Sequence, residues 1–394
     1  MAGINNIGNL SQVNAPEIEQ EEGSVGKEEA PQQTDSVSHG EESSEQTPQN
    51  LSNAVTGIGG GAVQGGLPLP TELVREITGL AGHDDPETRK AMRSVNRQMR
   101  NAVNANVKTV TLKGPDGAAL SQARSAFRVA KDLRLGGEQF TNDQARKLAA
   151  FATVRSVTLD NTKNVTGQTL AKLPPNTETL RMAVTGQVKD EDLQKLPPNL
   201  KNFVAIGVPG ITDTGIGKIP KGVKSLGLLS DNFSDAGIKD SPKNLQKFFA
   251  VSKNVTDGGV PGLPKNLKEL GIFSNNVTGK AIKDIPDSVH TLSLPNSAGS
   301  MDEGFEHLAQ KKNVHTLTVS SEGVGEATIA KIPGSLKKLH LVAGRSEDPQ
   351  RLEQLTQQIR AAHPKLTVTS ETMADYNKKM GAGLKRGEGD LAFT

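Results

Sequence analysis

The 394-residue chain has no cysteine, no tryptophan and a single tyrosine, Tyr376. Without cysteine it can form no disulfide, no thiolate metal site and no covalent intermediate on a sulfur nucleophile. No apolar run reaches the roughly 20 residues that a membrane-spanning helix requires, so we expect no membrane insertion. The first residues show no basic region followed by an apolar core, so they do not predict a Sec-type signal.

Charge is nearly balanced over the whole chain, at +2, but it is unevenly distributed. Residues 1–66 hold ten acidic residues against a single Lys27, which leaves about +11 for the remainder. A basic remainder is one feature of nucleic-acid binding. However, the lysines and arginines form no run, and the aromatic side chains on which bases stack are scarce. We therefore expect no nucleic-acid partner.

The dominant feature of the sequence is a repeat. Blocks starting at Val223, Leu245 and Leu267 have apolar or small residues at positions one, four and six, and each is followed three residues later by Asn. The period of 22 residues and the aliphatic residue after the Asn are typical of leucine-rich repeats. The blocks in this phase start at Val107, Ala130, Val154, Thr177, Leu200, Val223, Leu245, Leu267, Val289, Val314 and Leu336, with a weaker one at His363.

This repeat predicts an α/β fold, a leucine-rich-repeat solenoid in the form of a parallel-strand horseshoe of about 11–12 repeats. Positions four and six point into a core that no repeat can bury alone. Prolines after Leu or Ile in most repeats predict short helical turns and extended segments on the convex side. We expect the repeat Asn to lie inside and to bind the turn backbone, which gives a structural reading to the Asn-x-Ser/Thr sequences at Asn164, Asn232, Asn254 and Asn276.

Composition divides the chain into five segments. Residues 1–66 lack aromatic residues and are predicted to be a disordered leader. Residues 67–106 have two helix starts, at Pro70 and at Asp85-Pro86. The repeats occupy 107–345, and 346–369 are predicted to form a C-terminal cap with a helix and a final strand. Residues 370–394, rich in Gly and Lys, are predicted to be disordered.

The helical segment 67–106 resembles an F-box over about 35 residues. The matching residues are Leu69-Pro70-x-Glu72-Leu73-x-x-x-Ile77 and Val95-x-Arg97-x-x-Arg100, although the Trp that usually follows the arginines is absent. The resemblance implies docking on the Skp-type adaptor of a cullin–RING ubiquitin ligase. The residues implied for adaptor binding are Leu69, Pro70, Leu73, Ile77, Val95 and Arg97. Alternatively, these helices only cap the solenoid, as every repeat array requires.

The whole chain resembles the F-box/leucine-rich-repeat effectors of the GALA type, which plant-pathogenic bacteria inject through a type III system. The resemblance rests on the polar start, the F-box and the Thr-Asp-x-Gly-Ile variants at 212–216, 234–238 and 256–260. It implies a protein secreted into the host cell, acting in the host cytoplasm or nucleus. The implied partners are the host Skp-type adaptor and an unknown host target protein.

The concave face of the predicted sheet is the candidate target-binding surface. Apolar residues fall at positions five and seven of adjacent strands, where a solvated face would be polar, and basic residues recur at position two. The residues predicted to bind the target are Lys201, Val204, Ile206, Lys224, Leu229, Phe249, Val251, Lys268 and Phe273. Two alternatives remain open: the lysines are simply solvated, and the F-box region or the tail folds over the apolar group.

No spacing in the sequence predicts a catalytic site, a cofactor or a metal site. His290 and His315 occupy the same position of consecutive repeats, but no third ligand is in phase, so we expect exposed imidazoles. The sequence therefore predicts a protein that is not an enzyme and that recruits a host protein to a host ubiquitin ligase. The alternatives are a repeat module that masks a host protein, or a ligase that binds an E2 directly through a cysteine-free surface.

Overall fold

A computed structural model of the protein describes residues 107–114, 117–344 and 347–386. These residues form one sheet of twelve parallel strands, in which each strand pairs with the next one along the chain. The strands are β1 (Thr109–Lys113), β2 (Asp132–Gly136), β3 (Ser156–Asp160), β4 (Thr179–Ala183), β5 (Asn202–Ile206), β6 (Ser225–Leu229), β7 (Lys247–Val251), β8 (Glu269–Phe273), β9 (Thr291–Leu294), β10 (Thr316–Ser320), β11 (Lys338–Ala343) and β12 (Thr367–Thr372). The predicted leader, 1–66, and the F-box-like segment, 67–106, lie outside the described residues.

Side-chain burial follows the predicted phase. In β6, Leu226 is fully buried and Leu228 is 2% exposed, and the equivalent positions of β7 and β8 also hold buried apolar residues. Val223, at position one, is fully buried just ahead of the strand, so regular pairing begins two residues after the predicted block start. The leucine-rich-repeat solenoid is therefore confirmed, and the weak block near His363 supplies the twelfth strand.

The segments between strands form short helices, as the prolines predict. The α-helices are α1 (Gly117–Ala126), α2 (Asn142–Ala145), α3 (Gly167–Leu170), α4 (Asp213–Ile216), α5 (Asp235–Asp240), α6 (Asp302–Leu308), α7 (Glu326–Ala330), α8 (Pro349–Ala362) and α9 (Met373–Arg386). Helices of the 3₁₀ type occur at Leu148–Ala150, Asp190–Lys195, Asp257–Gly262, Gly279–Asp284 and Ser321–Gly323. Among the described residues, no helix has both the length and the apolar composition needed to cross a bilayer.

Aspartates connect successive repeats on the helical side of the sheet. The carboxylate of Asp213 accepts hydrogen bonds from both the backbone N–H and the hydroxyl of Ser234, each at 2.7 Å. Asp235 accepts the same pair from Thr256, at 2.8 and 2.6 Å. A Cβ at Gly237 would lie 2.5 Å from Oδ1 of Asp213, so the glycine leaves room for this carboxylate. Contacts between repeats therefore explain the Thr-Asp-x-Gly-Ile variants.

The repeat asparagines bind the backbone, but from outside the core. Nδ2 of Asn254 donates to the carbonyl of Asp231, in the preceding repeat, at 2.6 Å, and the Asn254 side chain is exposed. The buried polar residue lies two positions earlier, where Ser252 donates to the carbonyl of Phe233 at 2.8 Å and accepts from the N–H of Asn254. The prediction that the Asn side chain lies inside is wrong. The buried hydroxyl of the smaller serine makes the hydrogen bonds to the backbone on the inner side of the turn.

The C-terminal cap begins with α8. The side chain of Asp348 caps the helix by accepting a hydrogen bond from the N–H of Gln350 at 2.9 Å, and Pro349 occupies the first turn. Leu352, Leu355 and Ile359 are buried, whereas Ala362, which we expected on the same side, is exposed. The helix leads into β12, which pairs with β11.

The region after residue 369 differs from the predicted disordered tail. Strand β12 continues to Thr372, and α9 follows directly from Met373 to Arg386. The hydroxyl of Thr372 accepts from the N–H of Asp375 at 3.1 Å and donates to its carboxylate at 2.8 Å, so the start of the helix is capped. The Gly and Lys content suggested disorder, but a stripe of apolar side chains gives this helix a surface to bury.

Candidate functional site

The concave face changes character along the sheet. Position five is polar or charged in the first four strands, apolar or glycine in the next four, and polar again in the last four. In register, this row reads Thr111, Arg134, Thr158, Arg181, Val204, Gly227, Phe249, Gly271, Ser293, Thr318, His340 and Thr369. The apolar section lies near the centre, on β5 to β8.

Four of the predicted binding residues form the centre of this section. We call Leu229, Phe249, Val251 and Phe273 the apolar cluster. Its members are 6%, 2%, 4% and 2% exposed, and the rings of the two phenylalanines lie 4.9 Å apart at an interplanar angle of 60°. The half-buried side chains of Val204 and Ile206 pack against the cluster, so all six predicted apolar residues meet at one place.

Helix α9 packs on the apolar cluster. Tyr376 is buried among the members of the cluster, and the half-buried side chains of Met373 and Met380 pack against it. Val342, at the end of β11, completes the contact and is fully buried. The apolar cluster is therefore covered by the chain's own C-terminal helix, which is one of the two alternatives left open by the sequence.

Tyr376 makes three specific contacts between α9 and the sheet. Its ring stacks with Phe273 on one side, at 5.6 Å and 25°, and with His340 on the other, at 5.9 Å and 26°. Its hydroxyl lies 3.1 Å from Oγ of Ser293, and both groups are buried. Burial raises the pKa of the phenol to about 12, an effect that the hydrogen bond to Ser293 only partly opposes.

A small charged group sits beside the tyrosine. Glu371, on β12, is paired with Nε2 of His340 at 2.9 Å and with Nζ of Lys379, on α9, at 2.5 Å. Nδ1 of His340 is 2.8 Å from the hydroxyl of Thr369. Burial lowers the pKa of His340, because the loss of hydration outweighs the attraction of the Glu371 carboxylate. These contacts tie α9 to the last two strands.

Comparisons with known proteins show likeness of shape only. No protein-family model and no curated protein matches the chain. Among solved structures, a chain of the yeast Rad7 and Elc1 complex is 14% identical at a TM-score of 0.43, with 77% of this chain and 93% of that chain covered. An internalin from Listeria monocytogenes is 14% identical at a TM-score of 0.38, with 77% and 89% covered.

A chain of the TLR13–ssRNA13 complex is also similar, at 12% identity and a TM-score of 0.43, with 62% of this chain and 37% of that chain covered. At such identities and TM-scores, these likenesses carry no argument about what this chain binds. The repeat architecture rests on its own strands, their register and their burial.

The three predicted binding lysines lie away from the apolar cluster. Lys201, Lys224 and Lys268 are exposed at position two, just before their strands begin. At about 3.3 Å per residue, position two is roughly 10 Å from position five along the strand. Lys201 forms an ion pair with Glu178 at 2.7 Å. These lysines therefore lie in a row at the amino-terminal ends of the strands. They do not share a site with the apolar side chains.

The two histidines in phase are neighbours, as predicted. The rings of His290 and His315 lie 6.3 Å apart at an interplanar angle of 29°. His290 is exposed, whereas His315 is half-buried, with Nδ1 3.3 Å from the carbonyl of Ser335. Within the described part of the chain, no group of three or more His, Asp or Glu side chains is placed to hold a metal ion.

The predicted adaptor-binding residues lie in the part of the chain that the structure does not describe. These residues are Leu69, Pro70, Leu73, Ile77, Val95 and Arg97. Their assignment therefore rests on the resemblance of the sequence to an F-box, and it stays a prediction.

The sequence contained a signal for α9 that composition obscured. Met373, Tyr376 and Met380 are spaced by three and then four residues, which places them on one face of a helix. Thr372 followed three residues later by Asp375 is a helix-start pattern. Among the described side chains of α9, three apolar residues contribute, and the glycines that follow weaken the pattern, so the sequence alone did not predict that this helix binds the concave face.

Proposed function

We propose that this protein is a secreted bacterial effector that acts as a substrate receptor for a host cullin–RING ubiquitin ligase. The solenoid is a protein-interaction fold, and the observation that carries the proposal is the apolar cluster on its concave face. An apolar centre within a polar surface is the usual arrangement of a protein-binding site. In this proposal a host protein binds the concave face, while residues 67–106 dock on the Skp-type adaptor.

The mechanism is proximity, because a receptor of this kind transfers no group itself. The chain has no cysteine on which to form a ubiquitin thioester. It would raise the local concentration of the target near a ligase that the adaptor recruits. Residues 1–66, acidic and without aromatic residues, would serve as the leader for type III secretion.

The docking step is tested by retention of a purified Skp-type adaptor on the immobilised full-length protein. We compare the native chain with a Leu69→Ala/Pro70→Ala variant and with a Leu51→Ala/Pro48→Ala control in the leader. We expect the native chain and the control to retain the adaptor and the first variant to lose it. Circular dichroism must show the same folded signal for all three chains.

Failure of the native chain to retain the adaptor would exclude the ligase receptor. The repeat module that binds and masks a host protein would then remain. The secretion step is tested separately, by fusing residues 1–66 to a reporter enzyme and measuring its delivery into host cells by strains with and without a type III system. Equal delivery by both strains would exclude the leader role.

A further inference from the structure

Helix α9 has the features of a bound ligand on the concave face. Met373, Tyr376 and Met380 contact the apolar cluster. The residues between and beside them, Ala374, Asp375, Lys378 and Lys379, are exposed. An amphipathic helix that lays such a stripe into an apolar surface is a common mode of peptide recognition.

The surface under α9 has a glycine on each side of Phe249. Phe249 is flanked in register by Gly227 on β6 and Gly271 on β8, so neither neighbouring strand presents a side chain at position five. The next residue in that row, Ser293, receives the hydroxyl of Tyr376 at 3.1 Å. This part of the concave face therefore combines apolar walls, bare backbone and one polar group that recognises a hydroxyl.

The solenoid does not depend on α9 for its core. The residues at positions four and six of β6 to β8 are buried between the sheet and its helices, and each repeat is stabilised by its neighbours. By contrast, Met373 and Met380 are only half-buried, and Gly381 and Gly383 lower the helix propensity of the second half of α9. The residues that hold the repeats together are therefore different from the residues that hold α9 on the cluster.

We propose that α9 is a displaceable internal ligand and that the apolar cluster is a groove for an amphipathic helix of a partner protein. The partner helix would carry bulky apolar residues at positions i, i+3 and i+7, with an aromatic hydroxyl at the central one, as α9 does. It binds only when α9 leaves. This inference rests on the proposed use of the concave face for target binding, and it defines the class of target.

The composition of the chain supplies a sensitive probe. The protein has no tryptophan, and Tyr376 is its single tyrosine. A full-length Tyr376→Ala/Met380→Ala variant therefore has no tyrosine or tryptophan at all. A synthetic peptide of residues 370–386 then contributes the only tyrosine in the mixture. Its fluorescence anisotropy reports its binding to that variant directly, and a fluorescein-labelled form of the same peptide allows comparison with the native chain.

We expect the labelled peptide to bind the Tyr376→Ala/Met380→Ala variant about tenfold or more tightly than it binds the native chain, because α9 occupies the groove in the latter. Adding Phe249→Asp to that variant should abolish binding, and so should a Tyr376→Ala change in the peptide. Lys378→Ala, an exposed position on the same helix, serves as the matched control and should behave as the native chain does.

Three results would overturn the inference. Equal affinity for the native chain and the released variant would mean that α9 does not compete. No binding to a variant that melts cooperatively like the native chain would mean that the cluster is not a helix groove. Loss of the cooperative melt would make α9 part of the solenoid. Since no adaptor is used, each of these results is distinct from failure of the adaptor pull-down.

Discussion

The hydroxyl of Tyr376 lies 3.1 Å from Oγ of Ser293, although 83 residues separate them in the sequence, and both groups are buried. The ring of the same tyrosine stacks with Phe273 and with His340, so one side chain of α9 makes three contacts with the sheet. It joins a helix outside the repeat pattern to the face predicted to bind a target. If α9 is displaced as we propose, this contact must break before the concave face is uncovered.

Changes at Tyr376 should weaken the docking of α9 in two steps. Tyr376→Phe keeps the ring but leaves Ser293 without its partner. We expect this change to weaken the free energy of docking of α9 on the sheet by about 1 kcal/mol. Tyr376→Ala removes the ring as well and should cost about 3 kcal/mol or more. The measurement is hydrogen–deuterium exchange of the backbone amides of 373–380 in the full-length protein. Equal losses from both variants would contradict a separate role for the hydroxyl.

A second change tests the Ser293 contact itself. When both partners of a buried hydrogen bond are removed, no polar group is left unsatisfied, and the loss is smaller than that from removing one partner. We therefore expect Tyr376→Phe/Ser293→Ala to protect the amides of α9 better than Tyr376→Phe alone. Additive losses in this double-mutant cycle would mean that the two side chains do not interact.

The buried phenol predicts a dependence of docking on alkaline pH. The pKa of Tyr376 is raised to about 12 where α9 is docked, whereas a solvated phenol titrates near 10. The docked state therefore holds its proton longer, so the stabilisation is complete below pH 10 and is lost as the pH rises towards 12. Absorbance at the phenolate band measures this pKa without interference, since the chain has no other tyrosine and no tryptophan.

The control for this titration is Met380→Asp, which retains the tyrosine but places a charge in the apolar contact. We expect its phenol to titrate about two units lower than in the native chain, near the value for a solvated tyrosine. A native phenol that already titrates near 10 would show that Tyr376 is solvated and would contradict the docked arrangement.

The repeats could be predicted from the sequence because their stability is local and periodic. Leu226 and Leu228 are paired in register with the same positions of β5 and β7, and Val223 is buried ahead of them, so one block specifies the environment of the next. The docking of α9 could not be predicted in this way. Tyr376 packs on Phe273 and His340, which only the folded sheet brings together.

The buried serines show a different limit of the sequence pattern. Asn254 and Ser252 both recur with the repeat, so periodicity cannot tell which of the two lies inside. In the structure Ser252 is the buried one, and its hydroxyl donates to the carbonyl of Phe233. The amide of Asn254, a larger group, reaches the preceding repeat from the surface.

Mild acid should also release α9. The pKa of His340 is lowered from its ordinary value of about 6.5, because burial penalises the charged ring more than Glu371 stabilises it and because Lys379 opposes the charge. The docked state therefore favours the neutral ring, and its stability falls as the pH drops below about 6.5. We expect faster amide exchange in α9 at pH 5.5 than at pH 7.5, after correction for the intrinsic rate.

Two histidine variants check the origin of this effect. His340→Gln should remove most of the acid sensitivity, because glutamine has no proton to gain. His290→Gln changes an exposed histidine elsewhere on the sheet and should leave the sensitivity intact. The same acid response in His340→Gln would assign it to the carboxylates of the site.

The aspartate contacts between repeats give a prediction for the stability of the solenoid. In Gly237→Ala the new methyl group would meet Oδ1 of Asp213 at 2.5 Å and Cδ1 of Ile216 at 2.6 Å, and the same oxygen of Asp213 accepts the N–H of Gly237 at 2.9 Å. The carboxylate would have to move away from Ser234, and we expect a loss of about 1 to 3 kcal/mol in the free energy of unfolding.

Gly334→Ala is the matched control, because nothing lies within 4 Å of a Cβ there. Urea denaturation should therefore show a lower midpoint for the first variant and an unchanged or slightly higher midpoint for the second, since alanine restricts the unfolded chain. A similar midpoint shift in both variants would mean that the Asp213–Ser234 contact contributes nothing specific, and that the glycine of the Thr-Asp-x-Gly-Ile motif serves some purpose other than making room for the carboxylate.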